Sequence, residues 1–410
     1  MVVCRDSAVK IIQLATVLAV LVVAVAPEPA AAQICPNGPQ TLSEQIAGAE
    51  DILLVKWLSG VPGKRSNGST KFEVVEVGNQ HAAGKLKQGS KVRLNSYRPG
   101  KPDELFLLPG TLGEHDKIEW IDPVKMTPAA FEYVKNLPKP DQAAIERLEH
   151  FLKYLEHSDE IVRNDAFSEF SDAAHPDLVQ LAGKLPIDKL RTWFTSDAVS
   201  NQHWGLYGVL LGLCGTNEDA MMLERMILES TDKFRLGING VMSGYLLLTG
   251  EKGLAVLDET KLKNRMVFME TYAAMQALQF MWNYGENRIN SDRLRQSMRI
   301  LLDCPEMTEW VVYELARMKD WSVQDQLMKI YESYDTPEYN EPSIKLAIAR
   351  YLLSAVRDTE IKNADGEAGG VAANPKELPA HVDQAQKHLA ELARRDPKTV
   401  EQAKRFFVPK

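Results

Sequence analysis

Apolar and polar residues change their spacing along the chain near residue 125. Before that point, apolar residues alternate with polar ones or form short blocks that end at Gly or Pro, which is typical of β-strands. Five such segments are predicted as strands: residues 51–58, 70–77, 91–94, 105–108 and 117–121. A short helix is predicted before them, with Thr41 as its cap and Glu44 three residues later. Five short strands separated by turns predict a small β-barrel or sandwich.

After residue 125, apolar residues recur at helical spacing. The segment Ser158–Phe170 shows this most clearly, because an acidic turn precedes Ala166, Phe167 and Phe170. First helices of successive units are predicted to start near Ile161, Asn201, Phe234, Phe268, Met307 and Asn340. These starts are about 33 to 40 residues apart, and each unit carries a second predicted helix. A two-helix unit with that period predicts an α-solenoid, in which each unit buries its apolar face against its neighbours.

The predicted fold class is therefore a multidomain chain, with a small all-β barrel followed by an all-α helical-repeat solenoid. The predicted parts are a signal peptide at 1–32, a β-rich domain at 33–125, a helical linker at 126–157, helical repeats at 158–356, a flexible insertion at 357–378 and capping helices at 379–410. The insertion is predicted from the sequence NADGEAGGVAANP, which is small, polar and rich in glycine.

The first helical unit resembles the HEAT repeat family. Four residues match that family's D-x-x-V-R-x-x-A pattern: Asp159, Val162, Arg163 and Ala166. The resemblance implies that the aspartate and the arginine support packing between repeats. The later units share the period and the two-helix form, and residues 158–356 are covered by the resemblance.

The β-rich domain resembles the netrin-like (NTR) OB-fold, which tissue inhibitors of metalloproteinases share. The resemblance rests on Cys35, a short helix and then the segments AEDILLVKWLSG, TKFEVVEV and KLKQGSKVRL. It implies a small barrel used for contact with other molecules, and inhibition of a metalloprotease is one alternative. The inhibitors of that family use an N-terminal Cys-x-Cys, whereas Cys35 is followed by Pro36 and Asn37.

The first 32 residues have the features of a secretory signal. Arg5 and Lys10 form a basic start, and the apolar run Ile11–Ala26 is followed by small residues that end at Ala32. The apolar run has about 16 residues, fewer than the roughly 20 that span a bilayer, so cleavage before Gln33 is predicted over an uncleaved anchor. Export to the periplasm or the extracellular space is expected, with no other membrane contact.

The net charge argues against two classes of partner, and the cysteine spacing argues against a metal site. The 410-residue chain has a formal net charge of -8, which disfavours nucleic acid and anionic membranes as partners. Cys35, Cys214 and Cys304 follow the predicted signal, and none of their spacings is typical of a metal site. One disulfide at most can form among the three, and the sequence leaves the pair open.

Sequence motifs for common enzyme and cofactor sites are absent. The chain contains no HExxH, GxSxG, Walker loop, GxGxxG or paired CxxC, so no catalytic residue, cofactor or metal is predicted. His150 and His157 could lie on one helix face and bind a metal there. A solvated, charged helix face is the simpler interpretation. Two helices carry spaced glycines, and close helix packing is predicted for both: Gly205, Gly208 and Gly212, and Gly237, Gly240 and Gly244.

Two sets of residues are candidates for a functional site. Trp193 and Trp321 lie near predicted helix ends and are candidate contact residues for a partner, although packing in the core is the alternative. The second set combines a histidine with carboxylates near the barrel–solenoid junction: His115, Asp116, Glu119 and Asp122. That set could form an enzyme site between domains, and a polar loop is the alternative.

The predicted function is that of a non-enzymatic, exported scaffold that binds protein partners through the barrel and the solenoid. The first alternative is an enzyme of unknown class with its site at the junction. The second alternative is an NTR module that inhibits a metalloprotease. No nucleic acid partner is predicted, and the oligomeric state is left open.

Overall fold

A computed structural model describes residues 40–63, 68–81, 85–113, 117–196, 199, 201–229, 235–265, 267–334, 341–364 and 378–405. The predicted signal peptide and Cys35 lie outside these residues. A short helix, α1 (Leu42–Gln45), comes first, and Thr41 and Glu44 form the expected capping box at its start. The strands are β1 (Asp51–Val61), β2 (Ser69–Asn79), β3 (Lys91–Leu94), β4 (Leu105–Leu112), β5 (Ile118–Trp120) and β6 (Val124–Lys125).

The strands form an antiparallel, nearly closed barrel. The strand order is β3-β2-β1-β4-β5, and the short β6 pairs with β4. Strand β1 contains three irregularities in its register with β2, and such bulges bend a strand and increase its twist. The bending brings the two ends of the sheet toward each other. The barrel interior is filled by the apolar residues Leu53, Val55, Phe72, Val74, Val92, Leu94, Phe106 and Leu108.

Helices dominate the described residues after β6. The first helices are α2 (Pro128–Lys135), α3 (Ala144–Phe151), α4 (Glu160–Ser171), α5 (His175–Leu181), α6 (Ile187–Thr195), α7 (Trp204–Cys214), α8 (Asn217–Leu228) and α9 (Ile238–Thr249). They continue as α10 (Glu251–Leu257), α11 (Phe268–Tyr284), α12 (Ser291–Ile300), α13 (Thr308–Arg317), α14 (Gln324–Ser333), α15 (Pro342–Ala364), α16 (Ala380–Arg395) and α17 (Pro397–Arg405). The predicted fold class, a barrel followed by an all-α region, is confirmed.

Alternate helices lie side by side in the second half of the chain. Helix α9 packs against both α7 and α11, and α13 packs against α15. Arginine–carboxylate pairs also join the helix pairs to one another. Arg191 on α6 donates from Nε and Nη2 to Asp219 on α8, at 2.7 and 2.9 Å. Arg299 on α12 holds Asp320, before α14, in the same two-bond geometry at 2.6 and 2.9 Å, which fixes orientation as well as distance.

The barrel and the helices share one core. Leu54 on β1 and Leu107 on β4 point away from the barrel interior and join the core of the helical region, where Phe131 and Val134 of α2 also lie. Lys135 on α2 adds an ion pair with Glu76 on β2, with 2.6 Å between Nζ and Oε1. The first halves of β1 and β4 are therefore buried on both faces, which explains their nearly continuous apolar sequences.

Three segments differ in detail from the sequence-based prediction. Within the predicted helical linker at 126–157, α3 ends at Phe151 and turns follow it. Helix α6 lies between the predicted first and second units and accounts for the longer first interval. Helix α15 continues to Ala364, so the first part of the predicted insertion is helical, and residues 365–377 lie outside the described residues.

Candidate functional site

Trp193 and Trp321, the two predicted contact residues, are both half-buried and packed. The ring of Trp193 lies 4.8 Å from the ring of Tyr207, between ring centroids, and packs against the main core. Trp321 donates from Nε1 to Asp358 Oδ2 at 3.2 Å, and its ring lies 5.2 Å from that of Tyr351. Each side chain therefore contributes to packing within the helical region.

The four junction candidates are not brought together within the described residues. His115 and Asp116 lie outside the part of the chain that the structure describes. Glu119 is an exposed residue of β5, where it pairs with Thr111 of β4. Asp122 is also exposed and forms an ion pair with Arg98. Neither of these carboxylates lines any of the three cavities described below.

A set of exposed apolar side chains lies at the start of three neighbouring helices. We call this set the apolar edge: Leu236 (51% exposed), Phe268 (39%), Met269 (39%) and Trp310 (45%). Leu236 precedes α9, Phe268 and Met269 begin α11, and Trp310 lies in the first turn of α13.

Two contacts show that the residues of the apolar edge are near one another. Arg235 donates from Nε to Glu270 Oε1 at 2.6 Å. This bond places the residues just before α9 beside the first turn of α11. The rings of Tyr272 on α11 and Trp310 on α13 lie 5.5 Å apart. The three helix starts therefore lie near one another, and each carries at least one large, exposed apolar side chain.

A second feature is a cavity of about 280 Å³ between α1, α3, α4 and α5. We call it the acidic cavity. Its apolar wall consists of Ala144, Leu148, Phe151, Ala173 and Ala174. Its polar wall consists of Thr41, Glu44, Arg147, Glu169, Asp172 and Asp177. The cavity thus combines an apolar surface with four carboxylates and one guanidinium.

The single cation of the acidic cavity is already paired. Arg147 donates from Nη2 to Glu169 Oε2 at 3.0 Å. Glu169 is only 7% exposed, and its other oxygen, Oε1, has no hydrogen-bond partner. Burial raises the pKa of Asp172, and the charges of Glu44 and Glu169 raise it further. The carboxylates therefore repel one another, and Arg147 compensates only part of their charge.

Behind the acidic cavity, Asp165 joins three segments. Its Oδ1 accepts from the backbone N–H of Leu42 at 2.6 Å, and its Oδ2 accepts from the Tyr133 hydroxyl at 2.8 Å. Burial raises the pKa of Asp165 to about 6, against the lowering effect of these two hydrogen bonds. Helix α4 is thereby connected both to α1, before the barrel, and to α2, after it.

Two further cavities lie near the segment that joins α2 to α3. One, of about 730 Å³, is lined in part by Glu146, Glu149 and His150. The other, of about 480 Å³, lies between α1 and α2. His150 packs among the rings of Tyr133, Phe151 and Tyr154, and burial lowers its pKa. Among the described residues, no three His, Cys, Asp or Glu side chains are placed to hold a metal ion.

The two cysteines that the structure describes are free thiols. Cys214 is half-buried and Cys304 is buried. Burial raises the pKa of Cys214 to about 11, so this thiol is protonated and unreactive at neutral pH. Within the described ranges, no helix has the length and apolar character needed to cross a membrane.

Comparison of the chain with models of protein families, with curated proteins and with solved structures found no match.

Proposed function

We propose that the chain is a non-enzymatic, exported scaffold that binds a protein partner through the apolar edge. The observation that carries this proposal is the exposure of Leu236, Phe268, Met269 and Trp310 at three helix starts that lie near one another. Monomeric soluble proteins rarely expose large contiguous apolar patches, and such patches mark interaction sites. Aromatic residues and methionine are also enriched in the centres of protein interfaces.

The proposal includes a HEAT-like origin for the helix pairs. Asp159 caps α4 by accepting from the N–H groups of Ile161 and Val162, and it also accepts from the Thr127 hydroxyl at 2.6 Å. Arg163 donates to the carbonyl of His157 at 2.8 Å. The aspartate therefore connects α4 to the start of α2, as expected of a residue that supports packing between helical units.

An NTR-like origin for the barrel belongs to the same proposal. A partly open, five-stranded antiparallel barrel is the architecture of OB-folds. In this chain β1 lies in the middle of the sheet, with β2 and β3 on one side and β4 and β5 on the other. The barrel would then hold the first helices in place and present a second surface to partners.

The proposal is tested by affinity capture with residues 33–410 from the envelope and secreted fractions of native cells. We expect a stoichiometric protein partner with the wild type and a loss of about tenfold or more in recovery with Phe268→Ser combined with Trp310→Ser, since truncation of central interface residues costs about 2 kcal/mol or more. The matched control is Val61→Ser combined with Leu112→Ser, which removes exposed apolar side chains from the barrel.

Circular dichroism must first show that both double variants are folded. Equal recovery of the partner by the wild type and the Phe268/Trp310 variant would contradict the proposed surface. Recovery of the bait alone from every fraction would contradict the scaffold function itself.

A further inference from the structure

We propose that the acidic cavity binds a primary ammonium group carried on an alkyl chain, either a lysine side chain or a free diamine. This inference is separate from the apolar edge, because α1, α3, α4 and α5 form the cavity. It rests on the shape of the cavity, on its charge and on a buried oxygen atom that has no partner.

The charge of the cavity favours a cationic ligand. Glu44, Glu169, Asp172 and Asp177 contribute four negative charges, and Arg147 contributes one positive charge. The guanidinium of Arg147 is held by Glu169, 3.0 Å away. A ligand that brings one or two positive charges would reduce the remaining repulsion between carboxylates, an effect that is strongest in a partly enclosed site.

Glu169 provides the most specific observation. Its side chain is 7% exposed, so burying its charge requires compensation, yet Oε1 accepts no hydrogen bond. Buried carboxylate oxygens are normally satisfied, and an unsatisfied one in a native structure calls for an explanation. A small rotation of the side chain at the cavity wall would let Oε1 accept from an ammonium group.

The apolar wall indicates what else the ligand carries. Leu148, Phe151 and the three alanines offer a surface that suits methylene groups rather than a hydrated ion. The carboxylates are distributed around a volume of about 280 Å³ and do not converge on one point, which suits an alkylammonium better than a metal ion. A lysine side chain and a short diamine both combine a cationic end with an apolar stem.

Isothermal titration calorimetry on the mature chain, 33–410, tests the inference with three probes. The probes are Nα-acetyl-lysine methylamide, its uncharged analogue Nα-acetyl-norleucine methylamide, and cadaverine. We expect saturable binding of the lysine compound that weakens as salt is raised and is at least about tenfold tighter than that of the norleucine compound. Tighter binding of cadaverine would identify a free diamine as the ligand, and tighter binding of the lysine compound would identify a side chain.

Variants locate the binding site. Asp172→Asn combined with Asp177→Asn should weaken binding about tenfold or more, whereas Asp188→Asn combined with Asp292→Asn, on the exposed surfaces of α6 and α12, makes the same charge change and should leave binding unchanged. The inference is overturned if neither cationic probe shows saturable heat, if the norleucine compound binds equally well, or if the two double variants behave alike. A cavity variant that proves unstable is replaced by Asp177→Asn alone, a change at a single half-buried side chain.

Discussion

Asp165 shows how one side chain can connect separate parts of this molecule. It lies on α4, is 7% exposed and accepts hydrogen bonds from α1 and α2 through its two oxygens. Burial makes its ionised form unfavourable and raises its pKa to about 6, whereas the pKa of an unfolded aspartate is about 3.9. The folded protein therefore binds a proton at a higher pH than the unfolded chain does.

The raised pKa of Asp165 makes the free energy of unfolding depend on pH. Between about pH 4 and pH 6 the folded state is protonated at Asp165 and the unfolded state is not, so lowering the pH through this window stabilises the fold. We expect Asp165→Asn to remove this gain, which is on the order of 3 kcal/mol. Urea unfolding of both proteins at several pH values measures it, as the difference between their free energies of unfolding.

The free energies of unfolding of the two proteins must be compared with each other, because other carboxylates change the stability of both in the opposite direction. Asp219 and Asp396 have lowered pKa values in the folded state, so their contribution is lost as the pH falls toward acid values, in both proteins. Asp188→Asn, at an exposed position, serves as the control and should follow the wild type. Parallel curves for wild type and Asp165→Asn would show that Asp165 titrates normally.

The exposure of the tryptophans depends on more than their distance from a helix end. Trp193 and Trp321 were selected because they lie near helix ends, but both are half-buried and packed, whereas Trp310 is 45% exposed. The apolar pattern of α13 indicated the exposure of Trp310. Val311, Val312 and Leu315 lie on the buried face of this helix, and Trp310 falls outside that face. The acidic cavity could not be predicted, because the whole barrel separates Glu44 in sequence from the other three carboxylates.

At the scale of elements, α7 and α9 approach each other closely enough for their backbones to touch. Gly208 and Gly244 allow the two backbones to touch: a Cβ added at Gly244 would lie 1.9 Å from the carbonyl oxygen of Gly208. A Cβ added at Gly208 would lie 2.7 Å from the carbonyl oxygen of Gly240. The two helices therefore meet through backbone atoms, and close Cα–H contacts to carbonyl oxygens can form there.

Gly244→Ala should destabilise the protein, because the added methyl group would meet backbone atoms that cannot rotate away. Overpacking of this kind typically costs about 1 to 3 kcal/mol, which outweighs the roughly 1 kcal/mol gained by replacing a helical glycine with alanine. Urea or thermal unfolding measures the change. Gly183→Ala is the matched control, since nothing lies within 4 Å of the added Cβ, and it should be neutral or slightly stabilising. Unchanged stability in Gly244→Ala would mean that α7 and α9 are farther apart.

The spacing of these glycines was enough to predict the contact. Small residues at helical spacing in two successive apolar helices have few structural explanations other than close packing. The helix start predicted near Ile161 was accurate, and α4 begins at Glu160, directly after its cap Asp159. Helix α6 was not predicted, since its start has no side-chain cap and only Leu190 and Phe194 are buried along it.

At the scale of the whole molecule, the barrel is not an independent attachment to the helices. Leu54 and Leu107 are 2% and 0% exposed because helices cover the outer face of β1 and β4. Four more residues from the strands pack partly against the same core: Ile52, Val75, Leu105 and Val124. Two-sided burial could have been inferred from the continuous apolar sequences of β1 and β4, but the identity of the covering helices depends on long-range contacts that local spacing does not encode.

This arrangement predicts that a fragment of residues 40–125 does not fold alone. Removing the helices would expose Leu54 and Leu107 fully, at a cost of about 1.5 to 3 kcal/mol each, and would add smaller losses from the four partly buried residues. Those losses are comparable with the total stability of a small domain, about 5 to 15 kcal/mol. Removing the helices would also remove Asp165, which anchors α1.

A fragment of residues 40–196, which keeps α2 to α6, should restore cooperative unfolding. Circular dichroism during urea titration distinguishes the two fragments, and cooperative unfolding of 40–125 at the midpoint of the full chain would show that the barrel folds independently of the helices.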